Sequence, residues 1–238
     1  MKIPIALTAA LLALTCCYGQ QPTLAVTYAE KKTVSTDLSG IDNPAVREMV
    51  MKKLTGSTSY TLYTRDGISK YQKAADRTAG DSHAEIIGED DIIYRDQKKR
   101  KFVRQTQFLS RNFLILDTLK NIGWTILSDT LKIGDYLCKK ATANIEGAPK
   151  TAWFTDEIPV NEGPEMYFGL PGLILRVETE DKVITANKIS FVKGELSIDP
   201  PVKGKEITAE KFKAIKKEKI KQLGGAKSDK KGVRVIKM

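Results

Sequence analysis

A chain of 238 residues, 41% of them hydrophobic, is long enough to bury one full core. One histidine and three cysteines argue against a histidine-based metal site, a histidine-dependent nucleophile and a disulfide framework. The net charge of +10 belongs to the end of the chain: residues 203–238 carry 13 Lys and Arg against 4 Asp and Glu, while residues 20–202 carry 25 of each sign. That basic tail suits an anionic surface, and nucleic acid is the partner least suited to an exported chain.

The N-terminus has the pattern of a signal peptide over residues 1–19. Met1-Lys2 is a short basic start, Ile3 to Cys17 is apolar, and Cys17-Tyr18-Gly19 places small residues at −3 and −1 before Gln20. The apolar stretch is shorter than the roughly 20 residues a membrane span needs. The alternative is a lipoprotein signal using Cys16 or Cys17, although neither follows Gly, Ala or Ser. Beyond them the only cysteine is Cys138, which reads as a small buried hydrophobe, the alternative being a reactive or intermolecular thiol. His83 lies in the polar run Gly80-Asp81-Ser82-His83 and reads as an exposed loop residue.

Residues 20–202 read as one β-rich domain and 203–238 as a basic helix and tail. Leu24–Tyr28 has strand composition. Asn43-Pro44 is an N-cap followed by a first-turn proline, and Val46, Met49, Val50 and Leu54 then recur at helical spacing. Ser57–Arg65 and Ile68–Ala75 flank Asp66-Gly67, a hairpin that sets Leu62 against Tyr71. Ile92–Asp96 and Lys101–Phe108 form a second hairpin around Gln97–Arg100, and Asn112–Asp117 is a further strand. Trp124–Ser128, Lys132–Asn144 and Lys150–Thr155 continue the series.

Leu170-Pro171-Gly172-Leu173 reads as a type II turn, which requires positive φ at Gly172. Leu173–Thr179 and Lys182–Phe191 make a last hairpin, with Leu173, Leu175 and Val177 sharing one buried face. After Pro200-Pro201 a helix begins at Ile207-Thr208, with Phe212, Ile215, Ile220 and Leu223 on one stripe. The fold class is mainly β (α+β): a large curved antiparallel sheet with one short N-terminal and one C-terminal helix.

Trp124–Leu127, Lys132–Ala141, Ala152-Trp153-Phe154-Thr155-Asp156-Glu157-Ile158-Pro159, Gly163-Pro164 and Phe168–Leu175 together resemble the GLPGLI family of exported Bacteroidota proteins, named for the hexapeptide that here is Gly169–Ile174. The resemblance is densest from Trp124 to Leu175 and hardly covers the tail after Gly194. The chain departs from it in having Asp135 before Tyr136, where a glycine–tyrosine pair is common, and Phe154 in place of tyrosine. It implies export across the inner membrane and no catalytic residues. The strand pattern is similar to a half-barrel of the lipoprotein-carrier type, wrapped around one or two helices.

Trp124, Tyr136, Trp153, Phe154, Tyr167, Phe168 and Leu170 are the candidate lining of a binding surface, although each alone reads better as ordinary core. Gly169, Pro171 and Gly172 are assigned to backbone geometry. Asp156 and Glu157 are adjacent and so face opposite ways on an extended chain, and they read with Glu162 and Glu165 as loop charge. No cofactor or metal motif is present in the sequence. The expected function is an exported, non-enzymatic binding or accessory protein of the periplasm or outer membrane, holding an apolar ligand or peptide. The alternative is an interaction subunit of an outer-membrane receptor or assembly complex, and a weaker alternative is a hydrolase.

Overall fold

A computed structural model describes residues 22–33, 43–48, 56–74, 91–192, 194 and 196–225. The predicted signal segment, the Met49, Val50 and Leu54 part of the first predicted helix, the segment carrying His83 and the residues beyond 225 lie outside them. The described strands are β1 (Leu24–Lys32), β2 (Ser57–Arg65), β3 (Ile68–Lys73), β4 (Ile92–Asp96), β5 (Lys101–Phe108) and β6 (Arg111–Thr118). They continue as β7 (Thr125–Ile133), β8 (Tyr136–Ile145), β9 (Ala148–Thr155), β10 (Leu173–Glu178), β11 (Lys182–Phe191) and β12 (Lys205–Thr208). Residues 44–48 form helix α1, and Ala209–Gly225 forms α2. Asn43 caps α1 as predicted, its Oδ1 accepting from the amides of Ala45 and Val46 at 3.0 and 3.4 Å.

All twelve strands belong to one open sheet in the order β12-β6-β5-β4-β3-β2-β1-β11-β10-β9-β8-β7. The N-terminal strand is thus central. The meander β2 to β6 extends to one side and β11 back to β7 to the other. Chain length forces this sheet to curl. β6 and β7 stand ten strand spacings apart, which in a flat sheet is about 48 Å. Only residues 119–124 join them, a reach of about 25 Å. The two wings must therefore bend toward each other, and the edges β12 and β7 stay unpaired.

Three expectations are corrected. First, the sheet is mixed, because β12 runs parallel to β6, from Lys205↔Phe113 to Thr208↔Leu116. Ile207 and Thr208, read as the start of the helix, are strand, as β-branched residues favour. Of the predicted helical stripe, Phe212 packs edge-on against Phe108 and Phe113, with ring centroids 6.0 and 5.4 Å apart, whereas Ile220 is 52% exposed.

Second, Lys132–Asn144 is not one strand. It breaks at Gly134-Asp135, where Gly134 has φ 58°, and the halves pair as the hairpin β7–β8 with Ile133 opposite Tyr136. Third, Leu173, Leu175 and Val177 do not share one face. A bulge between Ile174 and Arg176 shifts the β10–β9 register. Leu173 and Leu175 join the main core with Leu24, Val26, Tyr28, Leu62, Tyr71 and Cys138. Ile174 and Val177 join Ala141, Ala152, Phe154, Tyr167 and Leu170 in a second cluster. β10 is therefore buried on both faces, which explains its nearly continuous apolar run.

The predicted hairpin registers hold elsewhere: Arg65↔Ile68, Leu62↔Tyr71, Asp96↔Lys101 and Val177↔Ile184 are all paired. Turn chemistry explains most of this precision, since Asp66-Gly67 and Glu146-Gly147 have positive φ at both positions, as a two-residue primed turn demands. The β5–β6 turn uses Leu109 and Ser110 at φ 48° and 61°, residues poorly suited to that conformation. Replacing them together (Leu109→Asn with Ser110→Gly) should raise stability by about 1 kcal/mol in urea unfolding. No gain would mean that the exposed Leu109 side chain makes a compensating contact.

Candidate functional site

The family-like stretch lies in one long loop, residues 156–172, between β9 and β10. Its ends meet, since Thr155 pairs with Leu173. Inside it the backbone closes on itself through Gly169 N to Asn161 O at 3.1 Å, Leu173 N to Ile158 O at 3.0 Å and Ile174 N to Glu162 O at 2.9 Å. Ile158 and Val160 pack on the main core, and Tyr167 and Leu170 belong to the second cluster. The loop therefore fills space between the clusters with its own side chains.

A buried arginine from the other wing holds it. Arg95 on β4 is 0% exposed. Its Nη1 donates to Glu165 O at 2.6 Å and Tyr167 O at 3.2 Å, its Nη2 to Gly163 O at 2.7 Å, and its Nε to Ser69 Oγ at 3.0 Å. Nη2 also lies 2.7 Å from Glu162 Oε2, a charge contact without aligned hydrogen-bond geometry. Gln97 Nε2 supplies Glu162 Oε1 at 2.6 Å. The guanidinium stands 5.7 Å from the centroid of the Phe168 ring. Buried charge is tolerated here because it is paired and almost fully hydrogen-bonded.

A second charged group ties the same loop to the sheet centre. Lys182 Nζ lies 3.1 Å from Glu30 Oε2 and also bonds Glu165 Oε1. Burial pushes the Glu165 carboxyl above its usual range, and Lys182 opposes that. Burial by itself would lower the Lys182 ammonium, but Glu165 and Glu30 outweigh it and the net shift is upward. The neighbouring Tyr71 hydroxyl is buried without a hydrogen-bond partner, and burial raises its pKa. These groups lock the loop to the sheet centre.

Six of the seven candidate lining residues divide between two clusters, and Phe168 stacks by Arg95 instead. Phe154, Tyr167 and Leu170 come together in the second cluster, with Trp124 packed against it. Trp124 Nε1 donates to Phe168 O at 2.9 Å. Tyr136 and Trp153 pack instead on the main core. Phe154, Tyr167, Phe168 and Leu170 are buried, and Trp124, Tyr136 and Trp153 partly so. All seven therefore serve packing in this structure. Cys138 is buried and free, and burial pushes its thiol up to about 11, so it stays protonated and inert at neutral pH. Asp156 and Glu157 are exposed loop charges: Asp156 pairs with Lys139 at 2.6 Å, and Glu157 accepts the Leu137 amide at 3.2 Å.

The glycine assignment needs correction. Gly172 does not have positive φ, so Leu170–Leu173 is not a type II turn. The positive φ falls on Gly169, at 91°. Gly172 is required for space, because a Cβ there would lie 2.0 Å from Thr155 O.

The sequence reading missed Arg95 altogether and treated Glu162 as loop charge. One signal was available: Arg95 is two residues from Ile93, so strand alternation puts a guanidinium on the same face as a core isoleucine. The same alternation marks Glu30, two residues from Tyr28, and Lys182, two residues from Ile184, although their meeting with Glu165 depends on the path of the long loop.

Among the described residues, several exposed apolar side chains gather at the β7 edge. β7 is the outer strand and is open to solvent over nearly its whole length. Ile126, Leu127 and Leu131 on it, and Leu137 beside it, are 49%, 36%, 36% and 57% exposed. Its pairing with β8 is irregular between Ile126 and Thr130 and regular from Thr130 to Ile133. In a two-residue hairpin the flanking pair, here Ile133–Tyr136, is hydrogen-bonded, so Thr130 and Lys132 direct their backbone groups to the free edge.

Residues 146–176 match a family described as "Protein of unknown function (Porph_ging)", the same family as the GLPGLI proteins and of a Bacteroidota type. The match covers a short stretch, from the end of β8 to the bulge of β10. No curated protein matches the chain. Two solved structures, described as PNGF-II in a C2 and in a P21 space group, are similar in fold. Their TM-scores are both 0.56, at 15% and 16% identity over 82% of this chain. The similar region is about a third of those proteins, 32% and 33% of their chains. At that identity the likeness shows architecture and carries no activity.

Proposed function

We propose that this protein is an exported, non-enzymatic binding or accessory protein of the periplasm or outer membrane, and that it takes an extended apolar segment of a partner along β7. The observation that carries this reading is the unpaired outer strand with Ile126, Leu127 and Leu131 open to water. Sheet edges of this kind pair with added strands, through main-chain hydrogen bonds and alternate side chains. The opposite edge offers less, because β12 has four residues and leads directly into α2. The form of the reading with a ligand pocket is less favoured, since the aromatic residues expected to line a pocket pack the interior.

The test is site-specific photo-crosslinking in cells. A photoreactive residue at Lys132 should give a discrete adduct, and one at Glu206 on the far edge should not. Thr130→Pro removes an outward amide without breaking the β7–β8 ladder, and should reduce that adduct at least tenfold while the thermal midpoint changes little. Equal adducts from both edges, or an adduct indifferent to Thr130→Pro, would sink the reading.

A further inference from the structure

The groove of about 470 Å³ over the centre of the sheet is a second site, on a different surface from the β7 edge. Ala29, Thr185 and Arg176 lie in one cross-strand row over β1, β11 and β10, and Lys31 pairs with Val183 in the next row. The short side chains Ala29, Val183 and Thr185 make a low floor, and Lys31, Lys32 and Arg176 stand around it with Asn187. Among the described residues its lining carries three cations and no carboxylate.

The only acid paired with any of them is Glu178, which takes Arg176 Nε at 2.7 Å. The two Nη nitrogens of Arg176 have no hydrogen-bond partner among the described residues, and neither Lys31 nor Lys32 has an ion pair there. The Arg176 fork is thus fixed by Glu178 with its outer donors open, the geometry that receives a planar acid group with two hydrogen bonds. The charge is local, because residues 20–202 as a whole are neutral.

We propose that this groove binds an anion carrying at least two acid groups, carboxylate or sulfate. One sits on the Nη face of Arg176 and another on the ammonium of Lys31, which shares the face of Ala29, Val183 and Thr185. The volume suits a ligand of a few sugar-sized units. The proposal is independent of the β7 edge, so either can fail alone.

The test is calorimetric titration of the full chain with trigalacturonate as a polycarboxylate, sucrose octasulfate as a polysulfate and maltotriose as a neutral control. Saturable one-to-one binding of either anion, with none of maltotriose, is expected, and the anion that binds identifies the acid group. Arg176→Gln and Lys31→Ala should each weaken it about tenfold, the loss of one charge-assisted contact. Lys216→Gln with Lys217→Gln on α2 should leave it unchanged. Binding of neither anion, equal binding of maltotriose, or binding abolished by the α2 changes and indifferent to Arg176→Gln would overturn the proposal. Arg176→Lys, which keeps the charge without the fork, should lie between the wild type and Arg176→Gln.

Discussion

Replacing Arg95 with alanine should cost about 3–5 kcal/mol of folding stability, the range for removing one partner of a buried ion pair. The loss exceeds that of a pair on the surface because of what stays behind. The Glu162 carboxylate, 1% exposed, loses its counter-charge. The carbonyls of Gly163, Glu165 and Tyr167 lose their donors, and Ser69 loses its partner. Water cannot reach these groups without opening the loop. Arg95→Lys should rescue little, because one ammonium cannot span three carbonyls and a carboxylate from a single point. Glu162→Gln should be milder, about 1–2 kcal/mol, since the guanidinium keeps its carbonyl cage and Gln97 keeps an acceptor. Urea unfolding reads all three, as a lower midpoint at constant slope. A domain of this kind has only about 5–15 kcal/mol in total, so Arg95→Ala should be visibly marginal at 37 °C. A loss below about 1 kcal/mol would mean that the loop closes by packing alone and the arginine is incidental.

The two classes of prediction fared differently for a physical reason. Hairpin registers such as Leu62↔Tyr71 and Val177↔Ile184 were legible because a short turn fixes which residues face each other and alternation does the rest. Those are local constraints. The curl of the sheet was suggested by strand content, but the six-residue link between β6 and β7 compels it, and that needs the strand order, which no short-range pattern encodes. The bulge at Leu175 was hidden for the same kind of reason. Three consecutive apolar residues carry no alternation, so nothing in Leu173–Leu175 marks where the register slips. The candidate lining residues do not pack as one group. Tyr136 and Trp153 lie near Phe154 in sequence or in pairing, yet pack with a different cluster. The Arg95 clamp lies furthest from legibility, because it joins a strand to a loop that begins some sixty residues later.

The alanine substitution at Gly172 separates two explanations of the family-like hexapeptide. If the glycine served a left-handed turn, Gly169→Ala and Gly172→Ala would be alike in kind, each set by the strain of positive φ. The structure makes them different. At Gly169, with φ 91°, an added Cβ meets nothing within 4 Å, so the cost is conformational, about 1–2 kcal/mol. At Gly172 the backbone is unstrained, but an added Cβ would lie 2.0 Å from Thr155 O, 2.7 Å from Thr155 C and 3.0 Å from Asp156 Cα.

Those are backbone atoms at the mouth of the loop, next to the Thr155↔Leu173 pair, and they cannot rotate aside as a side chain can. Accommodation requires the end of β9 to separate from the start of β10. That in turn moves Leu173 and Ile174, both 0% exposed and in different clusters. Gly172→Ala should therefore cost about 3 kcal/mol or more, at the upper end for overpacking, and exceed Gly169→Ala by at least about 1 kcal/mol. Urea unfolding of the two single variants decides it. If Gly169→Ala proves the worse, the hexapeptide is set by dihedral demand. If Gly172→Ala is the worse, the Pro-Gly step exists so that β9 and β10 can close over their own loop without a side chain between them. The second outcome also fits the bulge three residues on, since a strand that enters so close to its neighbour must shift its register before it can pair with β11 on its other side.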